Sequence, residues 1–433
     1  MVQLTDLNGS EFPASIGQRL LSLMERYRGA NGALNCPVLL QLRGPVDVGV
    51  LRSAVDGLIR RHEALRTTFT GRGPKLRQAI QAPRAADFAE ITVDGPAAPG
   101  ALQKMLLEEL RRPIDIADNP LRARLFKTGS TEYVFCLNVH HMATDAWSNG
   151  IISRELGREY ERILRGSGPL PAPASQYRQF VSWQNDDLSG DRLQRLQGHW
   201  RGKLQGVTFP DLPGKPGSER SRVGAYQRAS LPTASVTRLD KLCRSYRATL
   251  FAAMLTVYFV VMQRYTSQRD QAVVSIFANR SRAEFLGTVG FLANPLVLRT
   301  SVPPEESFVQ LLARVRSTVL DAFIHQALPY QMLPLRSADT GSALDVVFQM
   351  FAEPVHQTKI AGLDVGLFPM PDGWGVRFDL DFSVIPEGDG MAVLAGYSVD
   401  RFEAHWVRRM LHDFERLVCA VAEHPDTPVT EVW

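Results

Sequence analysis

Cysteine is scarce in this chain: Cys36, Cys136, Cys243 and Cys419 are the only four in 433 residues. They lie far apart with no CxxC pair, so the spacing supports neither a disulfide framework nor a zinc-ribbon site, and buried thiols in a reducing compartment are expected. Long hydrophobic runs are missing too. The longest, Leu250 to Met262, is too short to span a bilayer, and the opening MVQLTDLNGSEF lacks the basic and apolar regions of a signal peptide. The expectation is a cytoplasmic chain with no membrane partner. No Gly-rich phosphate loop follows any strand-like segment, and no GxSxG elbow is present, which argues against a doubly wound sheet and against a serine acyl-enzyme. The net charge is only +4 and its basic residues do not gather into a stripe with interleaved aromatics, so nucleic acid is not an expected partner.

What the sequence does have is the composition of a globular protein, 45% hydrophobic and 22% charged, at a length that favours two units. VLLQLRG (38–44) and YVFCLNVHH (133–141) read as strands. VLRSAVDGLIRRHEALRTTF (50–69), residues 100–111 and SNGIISRELGREYERIL (148–164) carry apolar residues at helical spacing. GSGPLPAPAS (166–175) breaks the pattern as an exposed connector does, and a boundary there predicts an N-terminal unit, 1–172, and a C-terminal unit, 173–433. The second begins with a helix at 177–185 and includes a buried helix at 250–265. Strands are expected at 272–278, 294–302, 344–351, 376–384 and 391–398, before an amphipathic helix at 405–423. This mixed order predicts α/β sandwich lobes and no doubly wound sheet.

Reactive residues concentrate in HHMATDAWS, His140 to Ser148, where a strand gives way to a helix. If the strand continues through both histidines, they point to opposite faces, one toward the core and one toward a cleft. An imidazole titrating near pH 6.5 can take or steer a proton at neutral pH without a large shift. Asp145 could cap the helix or meet a distant arginine. The pattern alone also fits a core histidine beside a solvated one with a capping Asp. A metal site is not expected, since adjacent strand histidines diverge and no third ligand is evident.

HHMATDAWS resembles the HHxxxDG motif of condensation domains from nonribosomal peptide synthetases, in the chloramphenicol acetyltransferase-like superfamily. Further segments resemble that family in order: RHEALRTTF (61–69), YRQFVSWQ (177–184), FANRSRAEFLGTVGFLANPLVLR (277–299), HQALPYQML (325–333) and RFDLDFS (377–383). Together they span almost the whole chain.

The resemblance implies an α/β fold of two acetyltransferase-like lobes in a V, with a central tunnel. It implies an acyltransferase of antibiotic-type peptide biosynthesis, joining an acyl or aminoacyl thioester to an amine or hydroxyl acceptor as amide or ester. The thioester would be borne by the phosphopantetheine arm of a carrier protein acting in trans, with no cofactor bound by the chain itself. By motif position His141 is the catalytic histidine, with His140, Asp145 and Arg280 structural. Asn294 matches a strand Asn that could line the tunnel, or serve as a strand-end amide. Trp147 reads as core packing before substrate contact, and His325 as a residue that caps or packs a helix.

Three positions depart from the family pattern. Ala146 stands where Gly is usual, which implies either an ordinary φ or a shifted loop. SIGQRLLSL (15–23) keeps Ser15 and Gln18 but not the Arg-Leu-Trp ending, and Pro295 replaces a frequent Thr. No carrier attachment serine is visible and the length has no room for an adenylation domain, so a free-standing enzyme or a domain cut from a synthetase is expected. The competing readings are a polyketide-associated or alcohol O-acyltransferase of the same superfamily, and a non-catalytic domain that recruits carriers or tailoring enzymes.

Overall fold

The computed structural model describes residues 11–28, 32–93, 98–215, 223–335, 345–351, 359–388 and 390–432. Elements run in the order β1 (Glu11–Pro13), α1 (Ile16–Arg28), β2 (Asn35–Arg43), α2 (Val48–Arg61), β3 (Thr67–Thr70), β4 (Arg77–Ile80), β5 (Asp87–Thr92), α3 (Ala98–Arg111), β6 (Leu121–Lys127), β7 (Glu132–His140), α4 (Ala146–Leu164) and α5 (Tyr177–Asp187). There follow α6 (Gly190–Leu204), β8 (Gly224–Leu231), α7 (Thr233–Ser245), α8 (Leu250–Thr266), β9 (Asp270–Phe277), β10 (Asn294–Ser301) and α9 (Phe308–Ile324). The last are β11 (Val346–Met350), β12 (Asp364–Leu367), β13 (Leu380–Glu387), β14 (Gly390–Ser398) and α10 (Ala404–Glu423).

The chain divides into two α/β units. The first takes the chain up to Asp187, then Ala278–Ala293 and the segment Val355–Gly375; the second takes Leu188–Phe277, Asn294–Pro354 and the chain from Val376. The boundary expected at 172/173 is thereby corrected. Connector 166–175 exists, but the chain beyond it is still in the first unit, because α5 buries Tyr177, Phe180 and Val181 in that unit's core. Phe285, Val289 and Leu292 return to the same core. Apolar burial, not sequence proximity, sets the division.

In the first unit a sheet of order β12-β2-β7-β6-β5 has β7 at its centre. Every β7 residue after Glu132 is buried, as in a strand covered on both faces. Phe135, Leu137 and Val139 pack with Leu51, Val55 and Leu58 of α2 and Ile152, Leu156 and Tyr160 of α4. Antiparallel pairing with β2 sets Asn35 opposite His140, which fixes how far the strand runs before the histidine turn. A smaller sheet, β1-β4-β3, lies in the same unit.

The second unit holds a sheet of order β10-β9-β11-β13-β14-β8. Helix α8 is apolar on all sides and buried from Ala252 to Met262, as a fully enclosed core helix should be. Thr249 caps it by accepting from the Ala252 N–H, and Ser267 closes it in the left-handed region at φ 58°. Phe348 of β11 and Phe382 of β13 meet Tyr258 of α8 at ring separations of 4.9 and 5.3 Å. No single described helix is long and apolar enough to cross a membrane.

Candidate functional site

Strand β7 ends at His140, and His141 begins a turn that leads into α4. The two histidines therefore separate by a change of backbone conformation, not by strand alternation. His140 is buried. Its Nδ1 accepts from the Met142 N–H at 3.2 Å, so the ring proton sits on Nε2, which faces the Glu25 carboxylate of α1 at 3.4 Å.

His141 has the opposite tautomer. Its Nδ1 lies 2.7 Å from the Thr144 carbonyl; a carbonyl oxygen can only accept, so Nδ1 carries the proton and the ring's basic lone pair is on Nε2. The imidazole is half-buried and stands edge-on to Phe291, with centroids 4.9 Å apart at 73°. Its backbone N–H donates to the Leu34 carbonyl at 2.8 Å. Tautomer, ring plane and main chain are thus each fixed by a separate contact.

Asp145 ends the turn as the N-cap of α4, accepting from the Ser148 N–H at 2.7 Å. The same carboxylate receives Arg280 Nη1 at 3.0 Å and Nη2 at 3.1 Å, and the backbone N–H groups of Leu292 and Ala293 at 3.0 and 3.1 Å. Burial alone would push this carboxyl up, but the Arg280 ion pair and the Ser148 hydrogen bonds outweigh it and hold it below the usual carboxylate range. With both oxygens engaged by five donors, Asp145 is built to hold the turn and not to move protons. Arg280 also donates to Ser148 Oγ at 2.8 Å and to the carbonyls of Ala278 and Thr288. Ser148 Oγ in turn donates to the Gly290 carbonyl at 2.9 Å.

Ala146 is the first residue of α4 and has an ordinary φ; among the described residues only Arg247, Ser267 and Asn279 are non-glycines in the left-handed region. An alanine therefore fits the position usually held by glycine without backbone strain. Trp147 departs from its expected core role. It is 45% exposed, its indole N–H donates to the Leu286 carbonyl at 2.9 Å, and Arg280 lies 5.6 Å from its ring centroid. The surrounding backbone holds this ring at the surface beside the ion pair.

The structure thus brings His140, His141, Asp145, Ala146, Trp147 and Arg280 together within the first unit. Asn294 belongs to the second unit, where its amide donates to the carbonyls of Gln326 and Leu328, both at 2.8 Å, and its oxygen accepts from the Tyr330 N–H at 3.0 Å. All three bonds clamp the loop after α9.

Two contributors to the site were not assigned a role from sequence. Gln18 and Ser15 form a reciprocal cap at the start of α1, and Gln18 Nε2 also donates to the Met142 carbonyl at 3.0 Å, pinning the histidine turn. Tyr177 places its hydroxyl 2.8 Å from both Ser15 Oγ and the Phe291 carbonyl. The Ser-x-x-Gln spacing was the available signal for the first, and the YRQFVSWQ segment that Tyr177 opens was the signal for the second, although its contacts join distant segments.

A family profile described as Condensation domain matches residues 9–433. Among curated relatives, the chain is 30% identical over 436 residues to one of the linear gramicidin synthase proteins of Brevibacillus parabrevis, an alignment covering 97% of this chain and 6% of that one. It therefore spans a small fraction of that relative's length. Among solved structures it resembles the X-domain from teicoplanin biosynthesis, with a TM-score of 0.84 at 22% identity over 99% of this chain and 98% of that one. It also resembles the first condensation domain of the CDA synthetase, with a TM-score of 0.82 at 18% identity over 97% and 98%.

Proposed function

Because this chain belongs to the condensation-domain family of nonribosomal peptide synthetases, we propose that it is a catalytically competent acyltransferase in which His141 serves the nucleophile. Acyl donors are thioesters on the phosphopantetheine arm of carrier proteins supplied in trans, and acceptors are amines or hydroxyls, free or carrier-bound. The observation that carries the proposal is the His141 tautomer: Nδ1–H given to the Thr144 carbonyl leaves the basic nitrogen, Nε2, as the proton acceptor.

An amine nitrogen attacks the thioester carbonyl, forming a C–N bond and a tetrahedral centre with an anionic oxygen. His141 Nε2 orients the amine and takes its surplus proton. The centre then collapses, the C–S bond breaks, and the departing sulfur receives that proton, so the histidine ends as it began. A positioned base of this kind contributes about 10²–10⁴-fold, and holding both reactants together supplies the remaining advantage. No acyl-enzyme is needed, because the thioester is already activated. Asp145 and Arg280 act through the backbone: they set where the turn ends and α4 begins, and hence where the imidazole stands.

The proposal is tested by incubating the chain with carrier-loaded acyl donors and a panel of amines and alcohols, and reading products by mass spectrometry. An amide or ester that requires the carrier-borne donor supports it. Product from coenzyme A thioesters alone would favour the alcohol O-acyltransferase reading, and tight carrier binding without product across the panel would favour the recruitment reading.

A further inference from the structure

A second group of titratable side chains lies wholly within the second unit, where α6 meets the end of α9. Asp321 lies in the last turn of α9 and His325, four residues on, is the helix's C-cap, and His199 comes from α6. One ligand atom from each of the three lies within 4.8 Å of the others.

The arrangement is held from behind. The His325 Nδ1 lies 2.8 Å from the Asp321 carbonyl, so Nδ1 carries the proton and Nε2 has the lone pair. Trp200 donates its indole N–H to the His325 carbonyl at 3.1 Å and stands edge-on to His199. The His199 and His325 rings stack at a centroid separation of 3.5 Å and 6°. His199 Nε2 is shielded from solvent, makes no hydrogen bond, and sits 3.5 Å from Asp321 Oδ2. The carboxylate already holds one cation, Lys203 Nζ, at 2.7 Å.

We propose that His199, Asp321 and His325 form a zinc site in which Lys203 occupies the position of the metal charge until the ion binds. Two imidazoles and one carboxylate are a ligand set suited to Zn²⁺, with a fourth position for water. In the present stack the two ring planes are nearly parallel, with centroids 3.5 Å apart, so their in-plane lone pairs do not both point at one ion. Binding asks the half-buried His199 to rotate so that its lone pair turns toward Asp321, and asks Lys203, which is exposed, to swing away. The ion would tie α6 to the end of α9, next to the loop that Asn294 clamps.

The test titrates Zn²⁺ into untagged, chelator-treated full-length chain by calorimetry, with Co²⁺ absorption as a second readout. One ion per chain is expected. His199→Ala and His325→Ala should each weaken binding about tenfold or more, since loss of even outer-shell support costs 10–100-fold, while Lys203→Gln, which removes the competing cation, should tighten it. His141→Ala should leave the stoichiometry at one, separating this site from the histidine turn. If either alanine variant fails to fold, the corresponding glutamine variant replaces it. Absence of saturable binding, or affinity unmoved by the His199 and His325 substitutions, overturns the proposal.

Discussion

Arg280 grips Asp145 with both terminal nitrogens across 135 positions of sequence, and both side chains are almost entirely out of solvent. The same carboxylate caps α4 and receives two backbone N–H groups from the 292–293 segment. One residue therefore fixes a helix start, an ion pair and the path of a returning segment together.

Breaking that pair should cost folding stability before it costs chemistry. Asp145→Ala strands the buried guanidinium and is expected to destabilise the first unit by about 3–5 kcal/mol, read as a lower urea midpoint. A variant that unfolds at the same urea concentration as the parent would remove Asp145 from its holding role.

The pH dependence follows from the sign of the shift. The folded Asp145 carboxyl lies below its unfolded value of about 3.9, so its stabilisation is fully present above that value and is lost as pH falls through the folded one. The stability gap between the parent and Asp145→Asn should be widest near neutrality and should narrow below about pH 4, which urea titrations at stepped pH will measure.

His141→Ala should behave in the opposite way. The ring is half-buried against Phe291, so its removal should leave the melting curve close to the parent's while turnover of a carrier-borne donor drops about 10²–10⁴-fold. Full turnover in the alanine variant would reject the proposed role.

Gln18 separates support from chemistry. Gln18→Ala deletes half of a reciprocal cap and the bond to the Met142 carbonyl, a loss of about 1–2 kcal/mol. Gln18→Glu keeps an acceptor for the Ser15 N–H but sets an oxygen against the Met142 carbonyl. It should therefore retain the α1 cap while slowing turnover, and a Gln18→Glu variant as fast as the parent would show that the turn needs no such pin.

Gly290 has no room for a side chain. A β-carbon there would lie 2.2 Å from the Tyr177 ring, so Gly290→Ala must displace either the ring or the segment that carries Phe291. A stability loss of about 1–3 kcal/mol is expected, with circular dichroism and thermal melting as the readout.

Legibility of this fold from sequence is uneven for physical reasons. Central strand β7 and helices α4 and α8 announce themselves through apolar patterns that run the length of each element. Strand β6 does not: in LRARLFK, Arg122 and Arg124 interrupt the apolar run, yet both are buried, compensated by Glu109 and Asp87, and no local pattern shows a distant partner. β13 begins at Leu380, not at Val376, because Val376 and Phe378 keep the alternating burial of a strand outside its ladder. β12 is four residues long and contains a glycine, and pairing with β2 alone makes it a strand. In the site, the residues of the histidine motif could be named from it, and Arg280 from its own family-like segment, 277–299. Phe291, the Leu292 and Ala293 amides and the Gln18 bond could not, since they reach the histidine turn only through folding.

The discontinuity of the first unit sets an order on its own biosynthesis. At ribosomal speeds of 5–20 residues per second, roughly 7–27 s separate emergence of Asp145 from that of Arg280. Throughout that interval the nascent histidine turn lacks its counter-charge, so the machinery matures only after much of the second unit has been synthesised. A ribosome stalled before codon 280 would display a competent-looking motif on an unfinished scaffold.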